Sequence, residues 1–540
     1  MRGSMMDYPL TLTHFLERAR RLFPKKEIVT RTATGLHRYT YADLYRRAVR
    51  LAGALRTLGV HPGERVATFA WNTSRHLELY LTVPSSGAVL HTLNIRLFPE
   101  QISFIVNHAE DAVIFVDESL VATLEPLATE FRSVRAFVVM GDGPLPSSPL
   151  RPLLRYEDLL ADASEDYSFP ILDEHSAAGM CYTSGTTGNP KGVVYSHRAL
   201  VLQSLAQAAA DAFALCEADV ILPVVPMFHA NAWGLPFTAT MVGATQVYPG
   251  AQPTPKDIAQ LIQDLRVTVT AGVPTVLIGL LALLEQQPYD LSSLRAVPCG
   301  GSAVPESLIE QFDRRGITVV QAWGMTETAP LATLSRPRCS MSDWSEPQLR
   351  AVRAKQGTPV PGVEMRIADE AGRELPWDGK TVGELQVRGP WIVAAYHNDP
   401  RSADCFQDGW FKTGDLGVRA PDGYYTLRGR RGDLIISGGF NIYPREIEEL
   451  LLEDPRIREA AVVGVADDVR GEVPVAYVVA DDSLSTAELD QTCRSQLASF
   501  KIPRAFIRVE SLPRTALGKI QKHLLPPASP PPTSKEPVKS

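Results

Sequence analysis

Residues 182–192 read YTSGTTGNPKG. Hydroxyl-bearing residues (Thr183, Ser184, Thr186, Thr187) alternate with Gly185 and Gly188, and Lys191 follows. Glycines let backbone N–H groups approach an anion closely, while hydroxyls and an ammonium add donors and charge. A triphosphate is the natural guest. The string is not the GxxxxGK[ST] loop, because Pro190 stands where that pattern needs glycine before lysine. A solvated surface loop would share the composition, but the fixed order ending in Pro-Lys-Gly favours phosphate binding.

Further motifs follow in order: PMFHANAWG at 226–234, GGSA at 300–303, QAWGMTET at 321–328, WFKTGD at 410–415, GRRGDLIISGG at 429–439, NIYPRE at 441–446 and PRTALGK at 513–519. Together they resemble the adenylate-forming superfamily of acyl-CoA synthetases, luciferases and peptide synthetase adenylation domains. The resemblance runs over residues 10–525 and looks most like bacterial medium- and long-chain fatty acyl-CoA synthetases. It implies two half-reactions. A carboxylate attacks the α-phosphorus of ATP to give acyl-AMP and pyrophosphate, and a thiol, coenzyme A, then displaces AMP. Both steps gather negative charge, so cations and oriented donors matter more than a protein nucleophile.

The resemblance also assigns roles. Thr183, Ser184, Gly185, Thr186, Thr187, Gly188 and Lys191 hold the phosphates. Glu327, with Thr183, holds Mg2+, an ion that prefers hard oxygen ligands. Trp323 stands where the family usually has tyrosine beside adenine, and either ring can stack on a purine. Gly301, Ser302 and Ala303 line the other face of the base, with Gly324 and Thr326 in the same ATP set. Asp415, an acceptor-only carboxylate, suits the ribose diol, and Arg430 supports the nucleotide. Lys519 bridges the substrate carboxylate and α-phosphate. His229 orients the carboxylate or gates the thiol route, and Trp233 resembles an aromatic gate on an acyl tunnel. The acid pocket is drawn from His229, Trp233, Gly234, Val273, Pro274, Thr275, Gly300, Gly324 and Met325. These are mostly small or apolar, with no fixed charge for an amino group. That favours a medium- or long-chain fatty acid, with a short thioether or aryl acid as alternatives. Loading of a carrier protein in place of CoA is a further alternative.

Two departures from the family pattern stand out. The hinge on which members rotate the small domain is usually Lys or Asp, and here it is Gly432 beside Asp433. Close relatives often carry a lysine where Ile436 stands. Ser437, Gly438 and Gly439 mark the expected CoA path, where glycine lets the pantetheine arm pass close to backbone.

The elements that must position these residues follow from periodicity. Residues 13–22 and 41–58 read as amphipathic helices, the first with a threonine cap and the second ended by Gly59. Residues 65–70, 112–116, 136–140, 219–225, 268–272 and 317–321 read as buried strands, with helices over 255–265 and 305–314 between them. This alternation predicts an α/β fold with mainly parallel sheets. From residue 364, Asp-Gly turns at 378–379, 408–409 and 422–423 mark a β-rich subdomain. Residues 444–452 and 486–497 (helices) and 460–465 and 474–479 (strands) form a small α+β unit. The expected domains are a large N-terminal adenylation domain of layered mixed sheets over 1–431, a mobile C-terminal domain over 432–525 and a disordered Pro/Ser/Lys tail over 526–540.

The 540 residues allow about three or four domains. A net charge of −7 offers no basic face for nucleic acid. The six cysteines form no CxxC pair, which fits a reducing compartment better than a zinc site or disulfide framework. No signal peptide and no apolar run of roughly 18 residues is seen, which makes the cytoplasm the expected location. Peripheral membrane contact and homodimerisation stay open.

Overall fold

The chain is described by a computed structural model covering residues 1, 3–183, 189–467, 469–514 and 520–526. It separates into two compact units, Met1–Glu364 with Val387–Phe411, and Met365–Gln386 with Lys412–Ser540.

The first unit holds two mixed sheets. One runs Thr358–Pro359, Leu331–Leu334, Thr318–Gly324, Ala296–Cys299, Val269–Ala271, Val220–Pro223, Thr245–Tyr248, Glu27–Thr32, Gly35–Thr40. Its centre is parallel and its edges antiparallel. The other runs Leu153–Arg155, Ala136–Met140, Asp111–Asp117, Arg65–Phe69, Val89–Thr92, Ala177–Tyr182, Gly192–Ser196, and is parallel except for its last pair. The helix Ser74–Ser85 touches strands of both sheets. Accordingly it is buried all round except at Arg75, as a helix between two sheets must be. On the first sheet, Pro255–Leu265, Pro274–Gln286 and Glu306–Asp313 pack apolar faces over Leu222, Val247, Val297 and Val319. The expected α/β layering with mainly parallel sheets is therefore present.

Local signals worked unevenly. The helices Thr13–Leu22 and Pro255–Leu265 have the bounds that periodicity predicts. The cap of Thr13–Leu22 does not. Its N-cap is Leu12, without a side-chain cap bond, and the buried Thr13 hydroxyl has no partner among the described residues. The helix Tyr41–Thr57 starts instead with a full capping box, Thr40 with Asp43, and Gly59 follows it at φ 72°.

The second unit carries two sheets. Glu364–Ala368, Gly383–Arg388, Trp410–Arg419 and Tyr425–Arg430 are strands of one. In the other, Phe440–Ile442, Ile435–Ser437, Gly471–Ala480 and Ile457–Asp467 are antiparallel neighbours, with Ala505–Arg508 added in parallel. Helices Pro444–Leu451 and Thr486–Gln496 close over this second sheet around Ile447, Val462, Val478 and Leu489. Residues 527–540, most of the expected tail, lie outside the described residues.

Candidate functional site

In the first unit, four neighbouring parallel strands release their chains at one edge of the sheet. Val220–Pro223 leads to residues 226–234, Val269–Ala271 to 272–275, Ala296–Cys299 to 300–303 and Thr318–Gly324 to 325–327. The carboxyl edge of a parallel sheet is where such folds place ligands. Most first-unit residues expected to meet acid or adenine thus come from consecutive strands.

Glycine is needed there for space. A Cβ on Gly300 would lie 2.7 Å from the Ala322 carbonyl oxygen and 3.4 Å from Cη2 of the Trp233 indole. A Cβ on Gly301 (φ 82°) would lie 3.2 Å from Val273 Cγ1, and one on Gly324 would overlap the Pro330 carbonyl oxygen at 1.6 Å. Trp233 therefore sits against Gly300, and Val273 against Gly301. Pro274 opens the helix Pro274–Gln286 behind them. Trp323 is buried in its strand, Ser302 is exposed and Ala303 and Met325 are half-buried.

Trp233 is held by an unusual turn. Ala230, Asn231, Ala232 and Trp233 have φ of 42°, 54°, 49° and 58°, and Gly234 has 76°. A left-handed turn costs L-residues about 1–2 kcal/mol each, so surrounding bonds must impose it. Gln203 and Gln207, buried on His197–Ala208, donate to the Trp233 carbonyl, with Nε2–O distances of 3.3 Å and 2.5 Å. Thr238 in turn donates to Gln207 Oε1 at 2.7 Å. The Asn231 side-chain oxygen accepts from Cys181 Sγ at 2.9 Å. His229 stands just before the turn, its carbonyl accepting from the Ala232 N–H at 3.2 Å. Nothing in the local sequence announces the left-handed stretch apart from Gly234.

The string expected to hold phosphate joins the antiparallel strands Ala177–Tyr182 and Gly192–Ser196. Thr183 N–H donates to the Lys191 carbonyl at 2.9 Å, closing its base. Residues 184–188, hence Ser184, Gly185, Thr186, Thr187 and Gly188, lie outside the described residues. Behind the base, the Tyr182 hydroxyl is 2.7 Å from His108 Nδ1, and His108 packs edge-on to His397. Burial, then His108 and Arg65, hold the His397 imidazole below its ordinary pKa.

Glu327 lies on the single turn Thr326–Thr328 and is 6% exposed. Its carbonyl accepts from Val393 N–H at 2.8 Å, and its Oε1 accepts from the Tyr396 hydroxyl at 2.7 Å. Burial and the neighbouring Glu327 carboxylate push the Tyr396 phenol well up, which keeps it a donor. Lys191 Nζ lies 4.6 Å from the Tyr396 ring centroid, 4.0 Å from Asp399 Oδ2 and 3.8 Å from Cys405 Sγ. Tyr396 escaped the sequence reading because its partners are distant in the chain. A buried carboxylate that shares Tyr396 with the Lys191 ammonium is a hard-oxygen donor that fits a divalent cation carried by a nucleotide. Among the described residues no cluster of three or more His, Cys, Asp or Glu forms a metal site of its own.

In the second unit, Asp415 is 4% exposed and pairs across the strands with Arg430, whose Nε lies 2.6 Å from Asp415 Oδ1. Thr413 Oγ1 accepts from Asp415 N–H at 3.1 Å. Gly432 and Asp433 form part of the turn Arg431–Asp433, and a Cβ at Gly432 would meet nothing within 4 Å. Gly438 and Gly439, at φ 56° and 83°, make a two-residue hairpin between Ile435–Ser437 and Phe440–Ile442 with open space around both. Ser437 is buried. Ile436 and Phe440 are exposed, and Phe440 stacks on Phe500 at 4.8 Å. Arg514 and Ile520 bridge, but Lys519 lies outside the described residues.

Comparison with known proteins decides the family. Residues 16–397 match the AMP-binding enzyme family, and 446–519 match the AMP-binding enzyme C-terminal domain. The chain belongs to the AMP-binding enzyme family. It is thus a member of the adenylate-forming superfamily. It is 46% identical to a long-chain-fatty-acid–CoA ligase of Thermus thermophilus, over 97% of this chain and 96% of that one. It is 41% identical to a medium-chain-fatty-acid–CoA ligase of Ectopseudomonas oleovorans, over 97% of each. Among solved structures it is similar to an anthranilate CoA ligase in complex with anthranoyl-AMP. There the TM-score is 0.85 at 25% identity, over 97% of this chain and 98% of that one. Among the described residues no helix is long and apolar enough to cross a membrane.

Proposed function

We propose that this protein is an AMP-forming acid–CoA ligase acting on medium- or long-chain fatty acids. The observation that carries the reading is the 46% identity, over nearly the whole of both chains, to a relative named for that reaction. The site geometry supports it. A buried carboxylate, Glu327, and the Lys191 ammonium stand at one phosphate-type hairpin, and the pocket edge offers glycines, Val273 and Trp233 with no charge among them.

In this reading the substrate carboxylate forms a bond to the α-phosphorus as the α–β bridging bond breaks and pyrophosphate leaves. The thiolate of CoA then attacks the acyl carbon and AMP leaves. Lys191 and the 183–191 hairpin neutralise the leaving pyrophosphate. Glu327 and Thr183 would hold Mg2+, which would supply charge neutralisation to the phosphates. Trp323 and residues 301–303 flank adenine, and Gly324 and Thr326 complete the ATP set. Asp415 accepts from the ribose hydroxyls, with Arg430 fixing its carboxylate. Lys519 bridges acid and α-phosphate, and His229 orients the acid or gates the thiol route. Trp233 closes the acid pocket formed with Gly234, Val273, Pro274, Gly300 and Met325. Ser437, Gly438 and Gly439 line the CoA path. The domain that rotates between half-reactions is residues 432–525, hinged at Gly432–Asp433.

ATP–pyrophosphate exchange over acids of graded chain length, with aryl and thioether acids included, tests the reading. Exchange rising toward medium or long chains supports it, and no exchange with any acid overturns it. Offering CoA against a phosphopantetheinylated carrier in the second step separates the ligase from a carrier-loading enzyme. An aryl acid is the second reading, favoured by the fold likeness to an anthranilate ligase.

A further inference from the structure

The short segment 393–399 touches Glu327, Lys191 and Gly192, the first two of them assigned above to cation and phosphate. Val393 N–H donates to the Glu327 carbonyl at 2.8 Å, and the Tyr396 hydroxyl donates to Glu327 Oε1 at 2.7 Å. His397 N–H donates to the Gly192 carbonyl at 2.8 Å, at the foot of the phosphate hairpin. Asp399 and the Tyr396 ring both face the Lys191 ammonium, at 4.0 Å and 4.6 Å. Tyr396 itself is 8% exposed and packs edge-on to Phe411.

One side chain therefore holds a carboxylate with its hydroxyl and an ammonium with its ring face. A phenol donating to one carboxylate oxygen fixes the plane of the other, which a cation must meet. An aromatic face attracts a cation without neutralising it, so Lys191 is held on the Tyr396 ring yet can be released to a more negative ligand. Leaving Lys191 only Asp399 would bind it in competition with phosphate.

We propose that Tyr396 is a positioning residue for nucleotide binding, aiming Glu327 at the cation through its hydroxyl and storing Lys191 on its ring until phosphate arrives. This rests on the roles given above to Glu327 and Lys191. Partners that orient a metal-binding carboxylate typically contribute about 10–100-fold to metal affinity.

Calorimetric ATP binding at stepped Mg2+ concentrations, on the full chain without acid or CoA, reads this directly. Tyr396→Phe keeps the ring and loses the hydroxyl. Its half-saturating Mg2+ should rise about tenfold or more, while ATP binding without Mg2+ stays near wild type. Tyr396→Leu should weaken ATP binding without Mg2+ as well. In a Glu327→Gln background the Tyr396→Phe change should lose most of its effect. An unaltered Mg2+ midpoint in Tyr396→Phe, or an equal effect with and without Glu327, overturns the proposal. Should Tyr396→Phe melt far below wild type, Tyr396 is a packing residue and the proposal falls. Wild-type ATP binding that ignores Mg2+, or that Glu327→Gln leaves intact, fails the underlying reading instead.

Discussion

Gly300 has space for a hydrogen and nothing more. Adding a methyl there forces it against the Ala322 carbonyl at 2.7 Å and the indole of Trp233 at 3.4 Å. Gly300→Ala should destabilise by about 1–3 kcal/mol through overpacking, and, with Trp233 proposed to close the acid pocket, should raise KM for the acid more than KM for ATP. Steady-state kinetics with both substrates checks this, and equal KM changes would remove Trp233 from the acid pocket. Lys519 yields a different split. Lys519→Ala should nearly abolish pyrophosphate exchange while acyl transfer from supplied acyl-AMP to CoA persists. Equal loss of both half-reactions would withdraw its role. The sequence singled out both residues because glycine and lysine stood in ordered strings. Tyr396 was not legible there, since its chemistry exists only once Glu327, 69 residues away in the chain, is brought to 2.7 Å.

At the level of elements, the amphipathic helices and buried strands declared themselves through periodicity, and the structure adds to Pro255–Leu265 a proline at its first position and the Thr254–Asp257 capping box. What stayed hidden were features imposed from outside the segment. Thr13 looked like a cap, but the chain enters that helix through Leu12 in helical conformation, so the threonine falls one position too far in. The 230–234 turn is set by Gln203 and Gln207 from another helix. The Gly432 turn gives an element-scale prediction. Its position has space for a side chain and a φ outside the left-handed region. Gly432→Pro should therefore fold, yet freeze the local dihedral freedom assigned to domain rotation. Pyrophosphate exchange should stay within a few fold of wild type, while thioester formation drops at least tenfold. Loss of both steps alike would count against a hinge at this turn.

At the scale of the whole molecule, two of the fully buried imidazoles of the first unit couple stability to pH. His76, between Thr68 and the Trp71 carbonyl, and His197, accepting from the Leu12 N–H, are fully buried, and burial lowers each pKa from 6.5 to about 4. Above pH 6.5 both are neutral folded or unfolded and cost nothing. Between about 6.5 and 4 the unfolded chain takes up the protons and the folded one does not, so stability is lost as the pH drops, by about 1.4 kcal/mol per unit for each histidine. Chemical unfolding across this window should show the slope, and His197→Asn, which keeps an acceptor for Leu12, should flatten it. A variant profile parallel to wild type would exclude His197 as a source. The α/β layering itself was readable because parallel strands buried on both faces are continuous apolar runs. The order of strands within each sheet was not, because it depends on crossovers that local pattern does not encode.

The turn bearing Trp233 carries a consequence for chirality. Its four non-glycine residues wind in the sense natural to mirror-image amino acids. At Ala230 and Ala232 the usual ranking of substitutions is inverted: an achiral residue relieves a penalty that alanine, elsewhere the best helix former, must bear. A semisynthetic chain with D-alanine at 232 would find there the one handedness it prefers, whereas a β-branched L-residue would meet the steepest barrier. The indole's address is thus written in handedness as much as in hydrophobicity.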